Sequence, residues 1–214
     1  VEWQDLEYKL SGLVKHLQSN VATVVSPHGS ISVWRTPILK RLLVEQDTVF
    51  YGDDTKMGLY LLLRGFRSEF VQGVTVATIA PTTLLGPLPN LYHQRVRSWD
   101  ATEHLLTGRF FDAFLRSYVR GSLVRTLTLR LFEAKMLLDI IGDWLKVMVL
   151  VYFCQAKHFW AWLGLAVGAN VLTTLVWNYG KCWRRPDLRC SARCVATFWL
   201  YKTMTSAFRV LGLL

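Results

Sequence analysis

The stretch Phe50–Phe70, FYGDDTKMGLYLLLRGFRSEF, decides how the rest of the chain is read. Two adjacent carboxylates, Asp53 and Asp54, follow Gly52, and an apolar run from Met57 to Leu63 leads into Arg-Gly-Phe. Gly65 after a Leu-rich run is a helix stop, because the residue past a helix end often takes a left-handed backbone. The start has two readings. Asp53 caps the helix and Asp54 favours its positive end, or the same helix start presents a general base. One Asp would suffice for a cap, and adjacent carboxylates repel.

Outward from this stretch, the first hundred residues read as mixed α/β. Leu6, Leu10, Leu13, Val14 and Leu17 recur at helical spacing over Glu2–Leu17. VATVVS (Val21–Ser26) and SISVWR (Ser30–Arg35) are β-rich and flank the turn signal Pro27-His28-Gly29. Thr36-Pro37 opens a helix with proline at its first position. Glu69–Ala80 alternates and is rich in Val and Thr, which predicts a strand that Pro81 stops.

The remainder is more apolar. Of 214 residues 52% are hydrophobic and nine are Trp, and the mean hydropathy is +0.26. That combination predicts membrane attachment of part of the chain. Asp100–Leu131 interleaves aromatics and leucines with Arg109, Arg116, Arg120, Arg125 and Arg130, the pattern of a helix lying in a membrane interface. Met136–Cys154, Phe159–Gly180 and Val195–Leu214 follow as membrane segments. The second is uncharged, with Trp160, Trp162, Trp177 and Tyr179 towards its ends. The basic run Lys181–Cys194 then faces the cytoplasm, and so do the paired aspartates.

A net charge of +10 suits anionic headgroups or phosphate-bearing substrates. Nucleic acid is rejected as a partner because the charge gathers around the membrane segments. The four Cys (154, 182, 190 and 194) lack zinc-ligand spacing and read as reduced thiols. The chain opens without Met and closes inside an apolar segment, and so reads as part of a longer protein.

The order of these features resembles the C-terminal half of a processive family 2 glycosyltransferase, along essentially the whole chain. Hyaluronan, cellulose and chitin synthases form this group, and the likeness is greatest to hyaluronan synthases and fungal polysaccharide synthases. SPHGSISVWRTPIL resembles the acceptor region, a small-residue loop that includes Gly29 and leads to Trp34-Arg35. GDDTKMGLYLLLRGF resembles the acidic motif whose second acid is the catalytic base, here Asp54, with Asp53 supporting it. VATIAPTTL resembles the strand and Thr-x-x-Pro that follow. QRVRSW (Gln94–Trp99) resembles Q-x-x-R-W with one residue too many. Either Gln94 and Arg97 match and Trp99 is displaced, or Trp99 matches and Ser98 stands where Arg belongs.

The resemblance implies a GT-A-type α/β catalytic part over residues 1–99, amphipathic interface helices over 100–131, and a transmembrane bundle of about three segments over 132–214. It implies inverting transfer from a UDP-sugar to a growing polysaccharide on the cytoplasmic side, with export through the spans. Gln94, Arg95, Arg97 and Trp99 would bind the donor diphosphate or the acceptor. Mg2+ or Mn2+ would be held by ligands upstream of Val1. The protein would be integral to a membrane, by analogy the plasma membrane, in contact with membrane lipid. Two rivals stand beside this reading: a non-processive enzyme making a glycolipid, and an inactive membrane-anchored homologue.

Overall fold

The computed structural model describes residues 2–27, 31–45, 53–71, 74, 80–88, 90–95, 107–152, 157–181 and 189–211. The described residues form helices α1 (Glu2–Val21), α2 (Thr36–Glu45), α3 (Asp53–Leu63), a single turn α4 (Leu91–His93), α5 (Thr107–Arg116), α6 (Leu123–Tyr152), α7 (Lys157–Leu175, continuing as a π-helical turn Val176–Lys181) and α8 (Ala192–Leu211).

The expected α/β fold is corrected. Among the described residues there is no strand and no sheet. Val21 is the last residue of α1, and residues 22–26 run beside 66–70 through one backbone bond, Val24 N–H to the Ser68 carbonyl at 3.2 Å. Side chains supply the rest. The Thr23 hydroxyl accepts from Ser68 N–H at 2.7 Å, and the Ser19 hydroxyl accepts from Phe70 N–H at 2.9 Å. β-Rich composition expresses itself only when a partner strand supplies a ladder, and here hydroxyls replace the ladder. Residues 75–79, the centre of the third expected strand, lie outside the described residues.

The integral-membrane reading is also corrected: no helix among the described residues is long and apolar enough to cross a membrane. Charges interrupt α6 at Arg130, Glu133, Lys135, Asp139, Asp143 and Lys146, and α8 at Arg193, Lys202 and Arg209. Asn170, Thr173 and Thr174 dilute α7. Several of these charges join helices. Buried Asp143 accepts from Ser206 Oγ at 2.6 Å and Arg209 Nη1 at 3.0 Å, which pins α6 to α8, while Lys146 donates to it at 3.0 Å. Burial pushes the Asp143 pKa up, but Arg209, Ser206 and Lys146 outweigh it and hold it below the usual range. The export route expected from the spans falls with them.

Two apolar clusters organise the helices. One joins Val25, Leu59, Leu62, Phe110, Ala113, Val119, Leu129 and Ile140, so α3, α5 and α6 share a core. The apolar stripe of α5, expected to face lipid, is buried there: Phe110 is 1% exposed. The other cluster joins Leu6, Leu91, Trp177, Cys194, Phe198 and Tyr201 across α1, α4, α7 and α8.

Candidate functional site

Asp53 is the first residue of α3 and Asp54 the second. Asp54 is half-buried and its Oδ1 accepts the Thr55 N–H at 2.9 Å. The other oxygen, Oδ2, has no hydrogen-bond partner among the described residues. At the far end, Gly65 takes φ +68°. Gly65 N–H donates to the Leu62 carbonyl and Phe66 N–H to the Leu61 carbonyl, at 3.1 and 2.9 Å. This is the paired 5→2 and 6→1 closure that a glycine past the helix end permits. The helix carrying Asp54 is therefore closed at its far end.

Its middle is fixed by close approach. A Cβ on Gly58 would stand 2.6 Å from the Val25 carbonyl oxygen and 2.7 Å from Pro27 Cδ. Only glycine lets α3 lie on residues 25–27, the segment that leads into Pro27-His28-Gly29. The approach of the acidic helix to the expected acceptor loop thus rests on one missing methyl group. Gly29 itself lies outside the described residues. Trp34 is half-buried and Arg35 exposed. The Arg35 carbonyl accepts from Ile38 and Leu39 at 3.0 and 3.1 Å, so Arg35 caps α2 and Pro37 sits one place further in than its sequence signal suggested.

The Gln94–Trp99 motif divides. Arg97 and Trp99 lie outside the described residues. Gln94 Oε1 accepts from Gln4 Nε2 at 3.0 Å. Arg95 is 4% exposed and turned into the core. Its Nη2 donates to Glu7 Oε2 and, at 2.7 Å, to the Tyr201 hydroxyl, which in turn donates to Glu7 Oε2 at 2.6 Å. Lys202 Nζ reaches Glu7 Oε1 at 3.2 Å. Burial pushes the Glu7 pKa up, but Lys202, Arg95, the Tyr201 hydroxyl and Arg209 outweigh it and lower it to about 2. Sequence reasoning missed this network. Its members are 88 and 194 residues apart, and no local pattern couples them.

A second missed group is Glu133. It is fully buried, accepts the Ser117 hydroxyl at 2.7 Å on Oε2, and has no partner on Oε1. Burial raises its pKa to about 7, against the Ser117 hydroxyl and Arg130. Arg130 donates to the carbonyls of Phe114, Leu115 and Ser117, closing the end of α5.

A divalent cation would need a cluster of acceptor side chains. No group of three or more His, Cys, Asp or Glu is so placed among the described residues. The described residues do not fit a metal, and no step below passes through one.

No curated protein and no solved structure matches the chain. Residues 1–102, which contain every site residue named from the sequence, match the family model described as glycosyltransferase like family 2, and the match supports glycosyl transfer as the general chemistry.

Proposed function

We propose that the protein performs inverting glycosyl transfer from a UDP-sugar to a growing polysaccharide, with Asp54 as general base. The observation that carries this reading is the family match over residues 1–102. Asp54 stands at the start of a helix held against the segment leading to the acceptor loop. In the step proposed, an acceptor hydroxyl passes its proton to the Asp54 carboxylate as its oxygen attacks the anomeric carbon. The bond from that carbon to the diphosphate breaks, and UDP leaves with the electron pair. The Thr55 N–H holds Oδ1 and orients the carboxylate. Asp53 adds negative charge beside it.

Arg95 is engaged with Glu7 and Tyr201, so Arg97 is the residue we assign to the diphosphate, with Gln94 beside it and Trp99 offering a flat face to a sugar ring. Gly29, Trp34 and Arg35 are assigned to the acceptor. A divalent cation is supplied in the test below on the family's account, and none of the described residues is assigned to it.

The test supplies the full-length protein with a panel of radiolabelled UDP-sugars and Mg2+ or Mn2+, beside Asp54→Asn. Polymeric label from one donor, reduced by about 10²–10⁴ in the variant, is the expected result. Label on lipid or a short acceptor would favour a non-processive enzyme. Equal label from both proteins would remove Asp54 from the mechanism.

A further inference from the structure

The far end of α3 holds a feature that glycosyl transfer does not use. A cleft of about 290 Å³ opens between α2, the end of α3 and the turn joining α5 to α6. Three arginines from three elements line it: Arg41, Arg64 and Arg120. Ile38 supplies an apolar wall and Tyr60 and Phe66 supply rings. Along the helix axis, Tyr60 and Arg64 stand roughly 9–15 Å from Asp54, so the cleft is separate from the acidic helix start.

Arg64 pairs with Glu45 at 2.5 Å. Among the described residues no carboxylate pairs with Arg41 or Arg120. Like charges gathered on a concave surface repel, and a bound anion relieves that repulsion. The cleft is also held in shape. Arg64 lies over the Tyr60 ring at 5.0 Å and Arg120 over the Phe66 ring at 5.4 Å. Both arginines precede a left-handed glycine, Gly65 at φ +68° and Gly121 at +77°. Tyr118 bridges the two turns, its hydroxyl donating to the Arg64 carbonyl at 3.4 Å and its N–H to the Leu62 carbonyl at 3.5 Å. Guanidinium groups ordered in this way suit the tetrahedral oxygens of a phosphate group. Exposed apolar residues flank the arginines in sequence, Leu43 and Val44 after Arg41, and Leu123 and Val124 after Arg120.

We propose that this cleft is a phosphate-binding site, with Arg41 and Arg120 as its main ligands and Arg64 held ready by Glu45. The phosphate is either free in solution or carried on a lipid headgroup. The test uses the full chain, Arg41→Gln/Arg120→Gln, and a control of equal charge loss outside the cleft, Lys40→Gln/Arg109→Gln. Circular dichroism checks that each is folded. One arm titrates inorganic phosphate by ³¹P line broadening. The other measures flotation with phosphatidylcholine vesicles, with and without about one fifth phosphatidic acid. Each arginine is expected to contribute about tenfold to affinity. The cleft variant should therefore bind about 100-fold more weakly while the control binds as the parent does. Selective loss in the phosphate arm supports a free anion, and selective loss confined to the anionic vesicles supports a lipid-borne one. Equal weakening in the cleft and control variants would overturn the proposal, since diffuse charge would then account for binding. So would binding unchanged in the cleft variant, or no binding by the parent in either arm. Should the double variant fail to fold, Arg120→Gln alone must still weaken binding about tenfold.

Discussion

Glu7→Gln should cost this protein about 3–5 kcal/mol near neutral pH, because it removes one partner of a buried ion pair and leaves the other charged. The geometry sets the size. The Glu7 side chain is 13% exposed and that of Arg95 only 5%. Glu7 also takes the Tyr201 hydroxyl and Lys202, so three donors lose a charged acceptor at once. Linkage gives an independent figure. The pKa falls from its ordinary value of 4.5 to about 2 on folding, which corresponds to about 3 kcal/mol. A lowered pKa stabilises above the unfolded value and is lost as pH falls through the folded one. This contribution is therefore complete above pH 4.5 and erodes towards pH 2, with about 2 kcal/mol gone near pH 3. Urea unfolding followed by Trp fluorescence, in parent and variant at about pH 6 and about pH 3, reads both effects. The gap between the two proteins should shrink by about 2 kcal/mol at the lower pH. A gap under about 1 kcal/mol at pH 6, the scale of an exposed pair, would refute the buried-pair argument. A gap that does not change with pH would refute its electrostatic origin. Pairing Glu7→Gln with Arg95→Met should recover much of the loss, since the buried guanidinium goes with its partner and the charge that remains, on Lys202, is the more exposed one.

Glu133 has the opposite sign. Its raised pKa means stability is full below 4.5 and declines as pH rises towards about 7. Glu133→Gln should match the parent near pH 5 and exceed it by about 1–3 kcal/mol near pH 8, read by urea midpoints at the two pH values. Gly58→Ala drives a methyl to 2.6 Å from the Val25 carbonyl oxygen. It should cost about 1–3 kcal/mol by thermal unfolding, and lower transferase turnover through α3, whereas Gly108→Ala, with open space around it, should leave turnover alone. Asp143→Asn leaves Arg209 without its carboxylate between α6 and α8. A loss of about 2–4 kcal/mol in calorimetry is expected, and a loss below about 0.5 kcal/mol would mean the pair does not hold those helices together.

What the sequence made legible were features with a local cause. Helical spacing marked α1, which runs four residues past Leu17 to Val21. The stop at Gly65 follows from a local run of apolar residues ending at a residue free to take φ +68°. The β reading of Val21–Ser26 failed because Val and Thr express β preference only beside a partner, and Thr23 and Ser19 satisfy the neighbouring N–H groups instead. The membrane reading of the second half failed for a related reason. A charge inside an apolar run counts against a span only by its own cost, and sequence does not reveal that Asp143 meets Arg209, 66 positions away. The arginines of Asp100–Leu131 were equally opaque. Arg130 closes the end of α5 through three carbonyls, and Arg120 lines a cleft with residues of α2 and α3.

The residues that the family match covers and those beyond it are not separable in this fold. Leu6 and Leu91 belong to the matched part, yet they pack in one cluster with Trp177, Phe198 and Tyr201. Glu2 accepts from Ser191, and Trp3 donates to Thr197 at 2.9 Å. Most tellingly, the carboxylate that neutralises Arg95 shares its proton-donating partners with α8. Were Tyr201 and Lys202 absent, Glu7 would lose two of the interactions that keep it ionised. Arg95 sits two residues before Arg97 in the motif proposed to face the diphosphate. Through the Glu7–Arg95–Tyr201 contacts, α8 thus holds Arg95 in the core.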